Sequence, residues 1–181
     1  MRSLALAIAI GLVGAAALHI VIILALPGWT GNDAWTRVVR LGETDRFYAL
    51  ANEANSSGLL NEDLHINVAV CRFDLTEGPV RVQASGAVPV WTASAFDTDS
   101  SETFSINDRS SISEDVDITF VTPAQMLQLR RAMPESLASS VLVALVRPEG
   151  YVVLRAVAPL PSLVAGARAF LTGADCAALV V

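Results

Sequence analysis

The chain is poor in the residues that most often carry chemistry. Its 181 residues include 2 His and 2 Cys, and all 12 basic side chains are Arg. A zinc site needs three or four nitrogen or sulfur ligands. Here His19 lies within a long apolar run and His65 stands alone, so no metal centre is expected. Cys71 and Cys176 lie far apart, which excludes a C-x-x-C redox pair. His65 is the one imidazole outside the apolar run, and no G-x-S-x-G elbow accompanies it, which argues against a Ser-His-Asp hydrolase. Positive charge is scarce too. Without residues 1–26 the remainder carries 11 Arg against 18 Asp plus Glu, net −7. Phosphate backbones repel a domain of that charge, so nucleic acid is not an expected partner. The pattern implies no cofactor and no catalytic residue.

What is present is unevenly spread. Hydrophobic residues make up 53% of the chain, and residues 3–26 carry no formal charge. Leu4 to Leu26 is 23 residues, roughly 34 Å as a helix against about 30 Å of bilayer hydrocarbon. Pro27 and Gly28 are expected to stop it, and Trp29 falls where an interfacial aromatic would lie. The alternative is a cleaved signal peptide, with Ala15-Ala16-Ala17 as the small-residue site. Cleavage there would leave the apolar-rich run Leu18 to Leu26 exposed, which favours an uncleaved anchor over residues 1–26. Arg2 and the amino terminus favour a cytoplasmic start, although Arg37 and Arg40 follow the other end and nearly balance the charge rule.

Residues 27–181 read as one α+β domain, a mostly antiparallel sheet or small β-sandwich with a few short helices. Asn32 is expected to cap a short helix carrying Trp35, Val38 and Val39, closed by Gly42. Thr44 is expected to cap a second, with Phe47, Leu50, Ala51 and Ala54 at helical spacing. Strands are expected at 67–73, 80–85, 88–96, 103–107 and 116–120. The clearest alternation sets Val80, Val82 and Ala84 against Arg81, Gln83 and Ser85. Thr122-Pro123-Ala124-Gln125 combines an N-cap, a first-position Pro and a capping-box Gln, and predicts a helix to about Met133. Residues 139–146 and 151–157 are expected to form a hairpin around Pro148-Glu149-Gly150. A last helix presents Leu163, Ala167, Phe170 and Leu171, with Gly173 past its end.

Asn32-Asp33-Ala34-Trp35, Cys71-Arg72-Phe73-Asp74-Leu75, Gly78-Pro79-Val80-Arg81, Asn107-Asp108-Arg109 and Val121-Thr122-Pro123-Ala124-Gln125-Met126 occur in that order. Together they resemble the signature blocks of a bacterial domain-of-unknown-function family, numbered twelve-fifty-four, in its short membrane-anchored form. The resemblance implies a second domain in longer members. It also implies a separate companion protein carrying that domain where the short form occurs. The chain departs from the family pattern at Phe96, where Tyr is usual, and after Asp99, where no Gly follows.

Two polar constellations remain. Asp97, Asp99, Ser101 and Asp108 have the look of a calcium loop, but Glu102 replaces the turn Gly and Asp108 the bidentate Glu, so a solvated hairpin turn fits better. Asn107-Asp108-Arg109 suits a turn closed by its own side chains. Its functional reading is a polar ligand site, with Trp91 as a stacking surface and Asp97 and Arg109 as hydrogen-bonding groups. Trp91 and Asp97 share strand parity, and the combination suits a sugar. Two function classes follow. The first is an inner-membrane-anchored envelope protein, not an enzyme, whose periplasmic domain docks the companion. The alternative is a carbohydrate-active enzyme or binding module. In the periplasm Cys71 and Cys176 are expected to form a disulfide; the alternatives are two buried free thiols or a bond to a partner chain.

Overall fold

The computed structural model describes residues 2–30, 33–53, 55–111 and 115–179. The chain opens with helix α1 (Arg2–Thr30), none of whose apolar side chains up to Leu26 is buried against the domain. By length and composition α1 is able to cross a membrane. The apolar stretch ends at Leu26, as expected, but Pro27 does not end the helix. Proline withholds one N–H from the ladder while leaving the residues after it free to bond four back, and the helix ends at Thr30.

The rest is an α+β fold of two facing sheets. Sheet A has the order β1-β2-β8-β4-β5: β1 (Arg46–Ala49), β2 (Ile66–Asp74), β8 (Glu149–Val157), β4 (Val90–Asp97) and β5 (Glu102–Asn107). All its pairings are antiparallel. Sheet B has the order β7-β6-β3-β9: β7 (Val141–Ala144), β6 (Val116–Val121), β3 (Val80–Ala84) and β9 (Asp175–Ala178), with β7 parallel to β6. Period-two alternation turns one face of each strand inward. Val80, Val82 and Ala84 of β3 meet Cys71, Phe73, Val152 and Leu154 of sheet A in one core. Phe73 stacks on Phe120 at 5.2 Å between ring centroids, and Phe104 meets Phe120 edge-on at 6.4 Å. Gly150 must be glycine: a Cβ there would collide with the Phe96 carbonyl and the Phe73 ring.

Helices close the open sides. α2 (Ala34–Val39) lies on the outer face of sheet A, where Val38 packs with Val70, Tyr151 and Val153. α3 (Pro123–Arg131) covers part of the outer face of sheet B through Leu129 and Val121. α4 (Pro161–Thr172) seals one end of the core with Ala167, Phe170 and Leu171. The capping box of α3 is present: Gln125 N donates to Thr122 Oγ1 at 3.3 Å, and Thr122 N donates to Gln125 Oε1 at 2.8 Å. A disulfide joins Cys71 of β2 to Cys176 of β9 and so links the two sheets.

Three local expectations are corrected and one strand is added. Residues 44–53 form no helix. β1 takes Phe47 into the core opposite Cys71 and turns Arg46 and Tyr48 outward, so pairing with β2 overrides the helical spacing; Ala54 lies outside the described residues. Asn32 also lies outside them, and Asp33 caps α2, accepting from Thr36 N at 3.2 Å. A hydrogen bond from the Thr36 side chain, opposed by burial and aided by that backbone bond, holds the Asp33 carboxyl below its ordinary range. The strands around Pro148-Glu149-Gly150 are no hairpin, because β7 stays beside β6 in sheet B while β8 crosses to the centre of sheet A. Finally, the chain after α4 makes a strand, β9, that extends sheet B at β3.

Candidate functional site

The residues expected to form a sugar site are held apart. Trp91 faces the core opposite Ala156 and is 2% exposed, so its ring offers no stacking surface. The aromatic fills the gap between sheets, the commoner fate of a lone strand Trp. Asp97 does share the inward parity of Trp91, opposite Gly150, but at the far end of β4. Its Oδ1 accepts the N–H groups of Asp99 at 3.0 Å and Ser101 at 2.9 Å, which closes the turn between β4 and β5. Asn107 sits opposite Thr92 at the other end of β5. Its Oδ1 accepts from Arg109 N and Ser110 N, each at 3.0 Å, and Asp108 N donates to the Trp91 carbonyl at 3.2 Å. Asn107-Asp108-Arg109 is therefore a self-closed turn. Five strand residues separate it from Asp97, roughly 17 Å. Paired glycosidase acids stand about 5–9.5 Å apart, which Asp97 and Asp108 do not. The calcium-loop arrangement does not assemble either. Arg147 takes two of its acids, with Nε 3.8 Å from Asp97 and Nη2 2.5 Å from Asp99.

The β4–β5 turn serves another purpose. Ser100 holds φ at +59°, in the left-handed region that favours glycine. This places its Oγ to accept the Trp35 N–H of α2 at 3.2 Å. The same hydroxyl is hydrogen-bonded to Tyr151. Tyr151 in turn stacks between Trp35 at 6.3 Å and Phe96 at 5.1 Å. Burial, partly offset by the Ser100 bond, pushes the Tyr151 hydroxyl up from its ordinary pKa, so it stays protonated at neutral pH. A second bond, Arg37 Nη1 to the Gly58 carbonyl at 3.3 Å, fixes the other side of α2. The segment that follows α1 is thus locked to sheet A by stacking and hydrogen bonds together. Trp35 was visible in the sequence as an apolar helix position. Nothing local marks Ser100, whose role depends on α2 arriving from 65 residues away.

Around α2 the outer face of sheet A gathers arginines. Arg46 and Arg72 are directly opposite each other across β1 and β2. Arg46 lies over the Tyr48 ring at 5.9 Å, and Arg72 Nη2 donates to the Gly42 carbonyl at 3.5 Å, while its Nε is buried without a hydrogen bond. Arg37 and Arg40 belong to α2 and its C-cap. Among the described residues, the ion pairs join Arg81 to Asp117 and Arg147 to Asp97 and Asp99, so none of these four is in one. Asp45, at φ +58°, lies among them. Burial and the charge of Asp74, against the pull of Arg72, push its carboxyl up. Elsewhere, a half-open cleft of about 530 Å³ runs beside α4, between Ala49–Glu53, Asn67 and Arg168. One of its polar residues, Asn61, is tied into the loop, donating to the Ile66 carbonyl and accepting from Asp63 N.

No family model and no curated protein matches the chain. Two solved structures resemble it to different degrees. The VPA0106 protein from Vibrio parahaemolyticus is 13% identical, with a TM-score of 0.52 over 64% of this chain and 28% of that one. An uncharacterised protein from Burkholderia cenocepacia is 12% identical, with a TM-score of 0.41 over 65% of this chain and 30% of its own. The chain therefore spans less than a third of either protein, and the Vibrio likeness speaks to fold alone.

Proposed function

We propose that this chain is an envelope protein held in the inner membrane by α1, with its domain in the periplasm, where it docks a companion protein carrying the second domain implied by the family resemblance. The placement is supported by an apolar helix followed at once by a domain whose two sheets are joined by a disulfide, a bond typical of oxidising compartments. The observation that carries the docking is the pair of open sheet edges. β1 and β9 approach each other on one side of the sandwich. β5 and β7 end the sheets on the other side, and among the described residues each has one strand neighbour. The outer N–H and C=O groups of such edges pair readily with an added strand. β5, with six residues, is the longer of the two. In this reading the companion adds to β5. A photo-crosslinking residue placed at Glu102 in β5 should give one discrete envelope adduct in intact cells, and the same residue at Leu127 on α3 should not. No adduct at Glu102 at native abundance would refute the docking.

A further inference from the structure

Thr30 and Asp33 are three Cα steps apart, no more than about 11 Å whatever the path between them. Asp33 caps α2, and α2 is fixed to sheet A. From Leu26 to Thr30 the helix rises about 6 Å, and the headgroup layer is about 5–8 Å deep. With α1 across a bilayer, as proposed above, α2 is therefore held at or just above the headgroups. The tether fixes which part of the domain is near the membrane.

Charge decides how that part is turned. Residues 33–46 hold Arg37, Arg40 and Arg46 against Asp33, Glu43 and Asp45, which is neutral. Residues 47–181 hold 8 Arg against 15 acids, so the whole net charge of −7 lies beyond the tethered segment. An anionic surface repels such a body and turns inward the side where arginines offset the acids, Asp74 and Glu149 lying two residues beyond Arg72 and Tyr151 on the same face. One of the three acids, Asp45, is half-buried. Arg46 and Arg72 face each other directly, an unfavourable like-charge pair that an anion between them relieves. Guanidinium groups present paired N–H donors that match phosphate oxygens.

We propose that α2 and the adjoining outer face of sheet A form a contact surface for anionic phospholipid headgroups, with Arg40, Arg46 and Arg72 as the phosphate ligands. The inference rests on α1 crossing the membrane. It sets the domain with sheet A toward the bilayer and sheet B away from it. Val39, 38% exposed beside Arg40, and Leu127, 61% exposed on α3, then report the two sides.

The test uses the full chain reconstituted into vesicles of phosphatidylcholine, with or without phosphatidylglycerol. A fluorescent amino acid is placed at Val39 or at Leu127, and energy transfer to a headgroup-labelled lipid is measured. Flotation with both kinds of vesicle reports anchoring, and a chain that stays behind overturns the anchored reading itself. For an anchored chain, transfer should be stronger from Val39 than from Leu127 when phosphatidylglycerol is present. The excess should be lost in Arg40→Gln/Arg46→Gln, whose two sites are exposed, and retained in large part in Arg40→Lys/Arg46→Lys. Equal transfer from the two sites, or an excess untouched by the Gln changes, would overturn the headgroup contact while leaving the anchor standing.

Discussion

Reduction of the disulfide should remove a large share of the domain's stability. Cys71 lies in β2 of sheet A and Cys176 in β9 of sheet B, 0% and 2% exposed and 105 positions apart in sequence. In the chain-entropy treatment a loop of that size restricts the unfolded state by about 4.7 kcal/mol at 25 °C, an upper figure if the unfolded chain stays compact. Domains of this kind have about 5–15 kcal/mol in hand, so a third or more is at stake. The structural consequence is local as well. β9 is four residues long and among the described residues pairs only with β3, so the sulfur bridge is what ties it across to sheet A. The assay is urea unfolding of the detergent-solubilised chain, followed through the buried Trp91, with and without a phosphine reductant. At a slope of about 2 kcal/mol/M the midpoint should fall by roughly 2 M. Reduction leaves both sulfurs in place, whereas Cys71→Ala/Cys176→Ala also removes buried volume, so the double variant should fall further. Reduced and oxidised midpoints within about 0.3 M would refute the reasoning.

Thr122→Ala should cost about 1 kcal/mol by removing the acceptor for Gln125 N, and Pro123→Ala less, since only a preset φ is lost. Equal melting losses in the two variants would count against the cap. Ser100→Ala should loosen α2, costing about 1 kcal/mol through the Trp35 bond, while Ser100→Gly should cost less because glycine tolerates the positive φ. Midpoints from urea unfolding rank the two. In the outer face of sheet B, burial would raise the Asp117 carboxyl, but hydrogen bonds from Arg81, at 2.9 and 2.7 Å, and from Ser140 outweigh it and hold it below its ordinary range. A folded value below the unfolded one means that this contribution is complete above about pH 4 and lost as pH falls through the folded value. Asp117→Asn should therefore flatten the acid limb of the stability profile, and an unchanged limb would contradict the assignment.

Much of the fold was legible because its signals are local. The capping box at Thr122, the alternation of Val80, Val82 and Ala84, and the apolar run to Leu26 each state their structure within a few residues. The misreadings arise where distant pairing decides. Phe47, Leu50 and Ala51 have helical spacing, but Phe47 is drawn into the core by its place opposite Cys71. Residues 141–144 and 149–157 both read as apolar strands, and no local feature says that they belong to different sheets. β9 has the weakly β-forming sequence Asp-Cys-Ala-Ala and is a strand because the free edge of β3 and the disulfide hold it there. At the candidate site, Trp91 and Asp97 were rightly given one parity. What alternation could not show is that the inward face is the core. Nor could it show that Asp97 and Asn107 lie at opposite ends of one hairpin. The arginine face was invisible for the same reason: Arg46 and Arg72 come opposite each other only when β1 pairs with β2, and the loop after α2 reaches Arg72 at Gly42.

The disulfide, the headgroup contact and the companion all depend on which side of the membrane the domain occupies. The most direct measurement is a pair of reporters fused in turn after Val181 in intact cells, one active only in the periplasm and one only in the cytoplasm. The periplasmic reporter should be active and the cytoplasmic one silent. The opposite pattern would place the domain in a reducing compartment and contradict the proposed function at its base.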